Sequence, residues 1–473
     1  MILKNSDQLK NELQGIFQID GPNIKVLDEK GLCGELIDDL VYTAVFSLDE
    51  GTRQMSRWII RRAGISLGVL PASIQSLYEA MGRGEAGGFT VPAINIRGLT
   101  YDSAQAVFRA ALKGKVGPFI FEIARSEIGY TGQRPAEYST VITAAAIKTG
   151  YRGPLFLQGD HFQISAGKFS KSPEGEVNSI KDLIREAVAA SFFNIDIDSS
   201  TIVDLGKPSI KEQQRNNYEV AAELTRYIRG LEPKGITVSV GGEIGEVGGK
   251  NSTVEDLRAF MDGYNEVKGS GMKGISKISI QTGTSHGGVP LPDGTIAKVS
   301  IDFEALEKIS AAARKDYGLA GAVQHGASTL PDEAFGCFPQ TKTAEIHLAT
   351  GFQNMIYDSP AFPEELRKTI YDYVRCDLID EKKAKDTDEQ FIYKTRKKGF
   401  GPFKKQMWDL PSDIRKAIGN SLEEKFSFLF AKLDVVGTVD VVQKFVRPVD
   451  VPIGKLGAES GETKPLEEYG EGE

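Results

Sequence analysis

Between residues 88 and 350 the chain repeats one pattern eight times: a short apolar run, then a longer stretch with helical periodicity. The runs are 89–95, 117–124, 153–161, 192–199, 235–240, 275–282, 320–324 and 344–350. Each is apolar almost throughout, as a strand is when both of its faces are buried. The stretches between them, such as 102–113, 136–149, 180–190, 216–229, 253–263 and 303–317, carry helical spacing. Strands joined by helical crossovers run parallel, and eight such units predict a closed α/β barrel, the (β/α)8 TIM barrel, in preference to an open sheet.

The pattern leaves both ends of the 473-residue chain outside the barrel. Residues 1–85 read as a mixed, partly helical extension and 86–380 as the barrel, with a helix over 363–380 expected to close it. Residues 381–456 read as a helical appendage, and 457–473 as an acidic tail expected to be disordered. The basic segment 52–62 is expected to be a solvated amphipathic helix with Trp58 in the core, in preference to a nucleic-acid contact. A net charge of -8 and a pI near 5.4 argue against nucleic acid or an anionic membrane as partner. Cys33, Cys337 and Cys376 are widely spaced and odd in number, which fits a reducing compartment and no disulfide framework. The start shows no secretory pattern and no apolar run is long enough to span a bilayer, so a cytoplasmic protein is expected.

Chemistry concentrates at the ends of the runs. The chain has 4 histidines, and three of them, His161, His286 and His325, end apolar runs and stand beside glycine or a carboxylate. Strand ends of such a barrel converge on one mouth, where active sites are built. Three imidazoles from separate strands make a set for a borderline divalent cation, zinc first, with positions left for substrate.

Several segments together resemble the class II, metal-dependent fructose-bisphosphate aldolases. Gly88-Gly-Phe-Thr-Val-Pro-Ala-Ile-Asn95 is similar to their first strand, and Gly159-Asp160-His161 to their Asp-His element. Phe193-Asn-Ile-Asp-Ile-Asp198 is similar to their fourth strand, and Gly242-Glu243-Ile-Gly-Glu246 to their Glu-Leu-Gly segment. Gly283-Thr-Ser-His286-Gly287 and His325-Gly326-Ala-Ser328 resemble their sixth and seventh motifs. The resemblance covers roughly residues 85–375, in order. It implies that His161, His286 and His325 bind a catalytic Zn2+, that Glu243 can join them, and that Asp198 is associated with a second divalent or a monovalent cation. It also implies that Asp160 handles the proton at the aldehyde half, and that Asn95, Gly287, Gly326, Ser328, Thr350 and His347 line the substrate.

The departures bear on substrate. The family's lysine after the sixth-strand His-Gly is absent, its eighth-strand Asn-x-Asp-Thr stands here as His347-Leu-Ala349-Thr350, and Ala124 replaces a serine. The acidic base of the family's mobile loop is not recognisable, which leaves Glu246, by proximity, and His347 as candidates. Arg97, Arg125 and Arg134 lie near strand ends, where they can replace the lost lysine or form ordinary ion pairs. The expected function is a zinc-dependent carbon-carbon lyase acting on a small-molecule sugar phosphate, with fructose 1,6-bisphosphate as the first choice, in a homo-oligomer. A metal-dependent sugar-phosphate isomerase or epimerase, and a non-catalytic aldolase-like accessory subunit, are the alternatives.

Overall fold

All eight apolar runs are strands in the structure, a computed structural model that describes residues 13–245, 249–283, 291 and 301–451. In chain order the strands are β1 (Phe17–Asp20), β2 (Asn23–Val26), β3 (Val69–Ala72), β4 (Val91–Asn95), β5 (Ile120–Ala124) and β6 (Gly153–Gln163). They continue with β7 (Asn194–Asp198), β8 (Ser239–Glu243), β9 (Lys277–Ile280), β10 (Ala322–Gln324) and β11 (Glu345–Leu348). Strands β4 to β11 are parallel, each paired with the next, and β11 pairs back to β4 with His347 opposite Ala93. The chain is therefore a (β/α)8 TIM barrel, preceded by N-terminal strands and helices and followed by further helices.

β8 lies further along the chain than its apolar run suggests, ending at Glu243 instead of Val240. The apolar run stops at Gly241, a glycine that serves a packing need inside the strand. It stands opposite Asp196 on one neighbouring strand and Lys277 on the other. A Cβ there would lie 2.3 Å from Asp196 Oδ1 and 3.0 Å from Lys277 Cε, so only glycine lets those two side chains meet across it. The shift puts Glu243 at the strand end.

β3 has no counterpart among the expected strands: it lies in the segment 1–85 expected to be mixed and partly helical, and it contains Pro71, a residue type common at helix starts. It pairs only with the first half of β6, an edge position that tolerates proline, and the helix begins at Gln75 and ends at Gly82. Where β3 stops and β7 takes over, Asn194 bridges the seam. Its Oδ1 accepts from Ile74 N at 2.9 Å and its Nδ2 donates to Leu157 O at 2.9 Å. Helix Gln75–Gly82 lies at the N-terminal end of the barrel, where Gly82 meets Gly318 O closely enough that a Cβ would sit 2.2 Å away.

The basic helix Glu50–Ser66 is not the solvated element expected. Trp58 is in the core at 7% exposure, but Arg61 and Arg62 are also buried, at 4% and 6%. Arg61 donates to Ala189 O and Ser191 Oγ, and Arg62 to Asn23 Oδ1 and Asp450 Oδ1, so the basic face is spent on the protein's own acceptors.

The C-terminal region shares the barrel's core. Helix Glu364–Asp377, expected to close the barrel, packs mainly on the turns and helix at 379–400. Helix Ser412–Lys432 instead runs along Thr100–Gly114, the helix after β4, and also touches Thr350–Tyr357, the helix after β11. It thus covers the seam at which the barrel closes. Ile418, Leu422, Phe426, Leu429 and Phe430 belong to the same contiguous core as the strands, and Thr90 N donates to Leu433 O at 3.0 Å. The three cysteines are free, and among the described residues no helix is long and apolar enough to cross a membrane.

Phe426 tests this shared core. Its ring is fully buried, 4.7 Å from that of Phe352. Phe426→Ala is expected to cost about 3–5 kcal/mol in urea unfolding and to lower the whole transition. A change confined to a separate, second transition would show that the C-terminal region folds independently.

Candidate active site

The end of β6 departs from regular strand geometry in a way that serves the mouth. In a strand, successive side chains point to opposite faces, so Asp160 and His161 should diverge. The pairing register with β7 shifts between Gly159 and Phe162, and His161 has φ +38°, in the left-handed region that costs a non-glycine residue roughly 1–3 kcal/mol. Phe162 folds back under Gly159, where a Cβ would lie 2.4 Å from its ring. The irregularity brings both side chains of the Asp-His pair to the same cluster.

His161 Nδ1 lies 3.1 Å from Asp198 Oδ2, at the end of β7, and 3.3 Å from Glu243 Oε2, at the end of β8. The ring of His325, which directly follows β10, has its centroid 4.1 Å from that of His161. His325 Nδ1 is 4.0 Å from Asp160 Oδ1, and its Nε2 is 4.0 Å from Glu243 Oε2 and 2.9 Å from Ser279 Oγ. Two groups here, Asp160 with His161 and His325, and His161 with Asp198 and Glu243, have ligand-type atoms within 4.8 Å of one another. Imidazole nitrogens with carboxylate oxygens are the donor set of a zinc-type cation. His286, Gly287 and Glu246 lie outside the described residues.

Electrostatics also fits a cation. Burial, and then the charge of Asp198, pushes Glu243 up to about 8. Burial alone would lower His161, but Asp160, Glu243 and the hydrogen bond to Asp198 outweigh it and raise the imidazole well above its usual range. In Asp198 burial is outweighed by hydrogen bonds, with His161 foremost, and the carboxyl is lowered. Both its oxygens are engaged: Oδ2 accepts from Gln163 Nε2 at 2.6 Å as well as facing His161, and Oδ1 accepts from Ser200 N and Oγ. A divalent ion would relieve the crowding of buried negative charge.

Beneath the mouth lies a buried polar layer that the apolar runs do not announce. Lys277, 1% exposed in its side chain, donates from Nζ to Gln158 Oε1 at 2.8 Å, Asp196 Oδ2 at 2.9 Å and Glu345 Oε1 at 2.5 Å. Tyr78, from the helix at the barrel's N-terminal end, donates to Glu345 Oε2. Gln158 Nε2 donates to Glu122 Oε2 and to Glu345 Oε1, each at 2.9 Å. His347 joins this layer to the mouth: its Nε2 lies 2.6 Å from Glu345 Oε1 and its Nδ1 3.0 Å from Asp160 Oδ1 and 3.1 Å from Glu122 Oε2. Burial would depress His347, yet Glu122 and Asp160 raise it well above its usual range. Burial and the Asp160 charge hold Glu122 well up. The signal in the sequence was a charge set inside four of the runs, at Phe121-Glu122-Ile123, Ile195-Asp196-Ile197, Ser276-Lys277-Ile278 and Ala344-Glu345-Ile346.

The remaining candidates separate by location. Asn95 Nδ2 donates to Glu127 Oε2 at 2.5 Å, and Arg97 pairs with Glu127 at 2.7 Å while donating to Gln353 Oε1 at 2.8 Å and Thr350 Oγ1 at 3.4 Å. Arg97 therefore groups with Asn95 and Thr350. Arg125 is 3% exposed and held by Glu176, Gln163 O and Ser179, and Arg134 is paired with Glu186 on the helical layer. Ser328 Oγ accepts from Gly351 N at 3.0 Å, tying the loops after β10 and β11, and Gly326 takes φ +67° beside His325.

Lys277→Met is expected to cost about 3–5 kcal/mol at neutral pH, because it leaves Asp196 and Glu345 buried without their cation. Glu345 is lowered from its ordinary 4.5, where burial is outweighed first by Lys277. A lowered carboxyl stabilises the fold above its unfolded value and loses that contribution as pH falls towards its folded value. The gap between wild type and variant in urea unfolding should therefore shrink below about pH 4.5. A gap independent of pH in that window would contradict the pairing.

Residues 75–419 match the family described as Fructose-bisphosphate aldolase class-II, a span that runs into helix Ser412–Lys432. No curated protein sequence matches the chain. Among solved structures, Fructose-bisphosphate Aldolase (Fba) from Campylobacter jejuni is 18% identical, with 78% of this chain and 98% of that one covered and a TM-score of 0.47. The YdjI aldolase from Escherichia coli K12 is 14% identical, with 78% and 99% covered and a TM-score of 0.46. The family match spans well over half of the sequence, and on it the chain belongs to the class-II fructose-bisphosphate aldolase family.

Proposed function

We propose that the chain is a zinc-dependent aldolase that reversibly cleaves a ketose phosphate between C3 and C4, with fructose 1,6-bisphosphate, giving dihydroxyacetone phosphate and glyceraldehyde 3-phosphate, as the first substrate to test. The observation that carries this reading is the meeting of His161 and His325 with Glu243 and Asp160 at the strand ends of a barrel in this family. His161, His325 and Glu243 would hold the ion, joined by His286. When bound, it supplies Lewis-acid polarisation of the substrate's ketone and adjacent hydroxyl.

The protein's own groups do the rest. Asp160, buried beside the imidazoles, takes the proton from the C4 hydroxyl in cleavage and returns it to the aldehyde oxygen in condensation. Asp198 accepts from His161 and so fixes that ring's orientation, the usual task of a carboxylate behind a metal-binding imidazole. Asn95, Arg97 and Thr350 form one polar group for a hydroxyl or phosphate of the substrate. His347 is poorly suited to enolise the substrate, since both of its ring nitrogens face carboxylates. Glu246 is the remaining candidate for that step.

The test is triose phosphate release by purified, zinc-loaded protein. Activity is expected to vanish with EDTA and return with zinc, His325→Ala should abolish it, and Asp160→Asn should lower kcat about 10²–10⁴-fold. Turnover that survives EDTA, or survives loss of His325, would refute the metal mechanism. Product analysis by NMR separates cleavage from isomerisation, since only cleavage yields two carbon fragments.

A further inference from the structure

His347 occupies a place that neither substrate binding nor proton abstraction uses well. It is buried, its ring centroid 4.0 Å from that of His325, and each ring nitrogen is already directed at a carboxylate. On one side is Asp160 Oδ1, at 3.0 Å from Nδ1. On the other is Glu345 Oε1, at 2.6 Å from Nε2. Glu345 is itself immobilised: Lys277 and Gln158 donate to Oε1, and Tyr78 donates to Oε2. A rigid line of hydrogen bonds thus runs from the barrel's N-terminal end to the carboxylate beside the zinc-type cluster.

An aspartate at an irregular strand end has two side-chain torsions to settle, and an acid/base group misplaced by about 1 Å can lose about 10²-fold in rate. A third group that orients the acid/base residue is the general solution. We infer that His347 is a positioning residue that fixes the Asp160 carboxylate for proton transfer, and that Glu345, Lys277 and Tyr78 form the anchor that fixes His347. The role of Asp160 rests on the aldolase reading above; the tether itself is a matter of geometry. Tyr78 makes the segment before the barrel part of this apparatus, because it comes from helix Gln75–Gly82 and not from a barrel strand.

A double-mutant cycle on the zinc-loaded enzyme tests the inference. His347→Gln should lower kcat about 10²-fold with KM and zinc content unchanged. In an Asp160→Asn background the same substitution should have almost no further effect, because a residue that acts only through Asp160 has nothing left to position. Equal, multiplicative losses in both backgrounds, or a raised KM with kcat kept, would overturn it. NMR of the intact protein labelled with 15N-histidine reads the tether without turnover and without altering His347. Asp160→Asn should shift the Nδ1 resonance of that ring, and Glu345→Gln its Nε2 resonance. Unchanged His347 resonances in both variants would overturn the inference even if the variants of His347 fail to fold. A wild-type protein that cleaves no ketose phosphate but shows both shifts would refute the aldolase reading while upholding the tether.

Discussion

The interior of this barrel depends on an ammonium group buried between carboxylates. Lys277 meets Asp196 and Glu345 across strands that are not neighbours, and it reaches Asp196 only because Gly241 leaves the space between those two empty. Barrel interiors are ordinarily layers of branched apolar side chains. Replacing one layer by charges carries a desolvation cost of several kcal/mol per ion, which is offset only when geometry and hydrogen bonding are complete. Here Gln158 and Tyr78 add hydrogen bonds around Lys277 and Glu345, while Asp196 Oδ1 and Glu122 Oε1 find no hydrogen-bond partner among the described residues, and Asn194 bridges the seam between β3 and β7.

This polar layer and the mouth above it form one electrostatic system. Asp160, Asp198 and Glu243 bring carboxyl groups to the strand ends, Glu122, Asp196 and Glu345 bring them to the layer below, and His347 touches both sets. The effect is visible in Glu243, pushed up to about 8, and in His161, raised by the carboxylates around it. A cluster of buried carboxylates held against imidazoles is a poor arrangement without a cation and a favourable one with it. The geometry of β6 works to the same end, since the strained His161 and the Gly159–Phe162 contact place two consecutive side chains where a regular strand would separate them.

Much of this was legible in the residues, and what was not has physical reasons. The eight strands follow from short, almost unbroken apolar runs because both faces of each strand are buried, and their alternation with helical stretches carries the rest. β8 was displaced because the apolar run stops at Gly241, whose actual role, room for a charge pair, depends on neighbouring strands that are distant in sequence. β3 was hidden by Pro71, which starts helices but also sits on sheet edges. The arginines of helix Glu50–Ser66 suggested a solvated face, yet carbonyls and carboxylates from residues as distant as Asp450 bury them. The Asp-His pair and His325 stood out by rarity and by position. Lys277, Glu122 and Glu345 did not, since a single charge inside an apolar run reads as an interruption until its partners converge on it. Likewise Arg125 and Arg134 could not be sorted from Arg97 before their partners were known, and the helix that covers the β11–β4 seam was placed too early in the chain.

The central claim is that the strand ends form an imidazole-rich site for a divalent ion. Zinc-edge X-ray absorption on the zinc-loaded protein reads the ligands directly, without reference to any substrate. The account predicts a shell of nitrogen and oxygen at about 2.0–2.2 Å, with imidazole scattering that weakens in His325→Ala. A bound ion without imidazole ligands, or a protein that takes up no zinc at all, would contradict it.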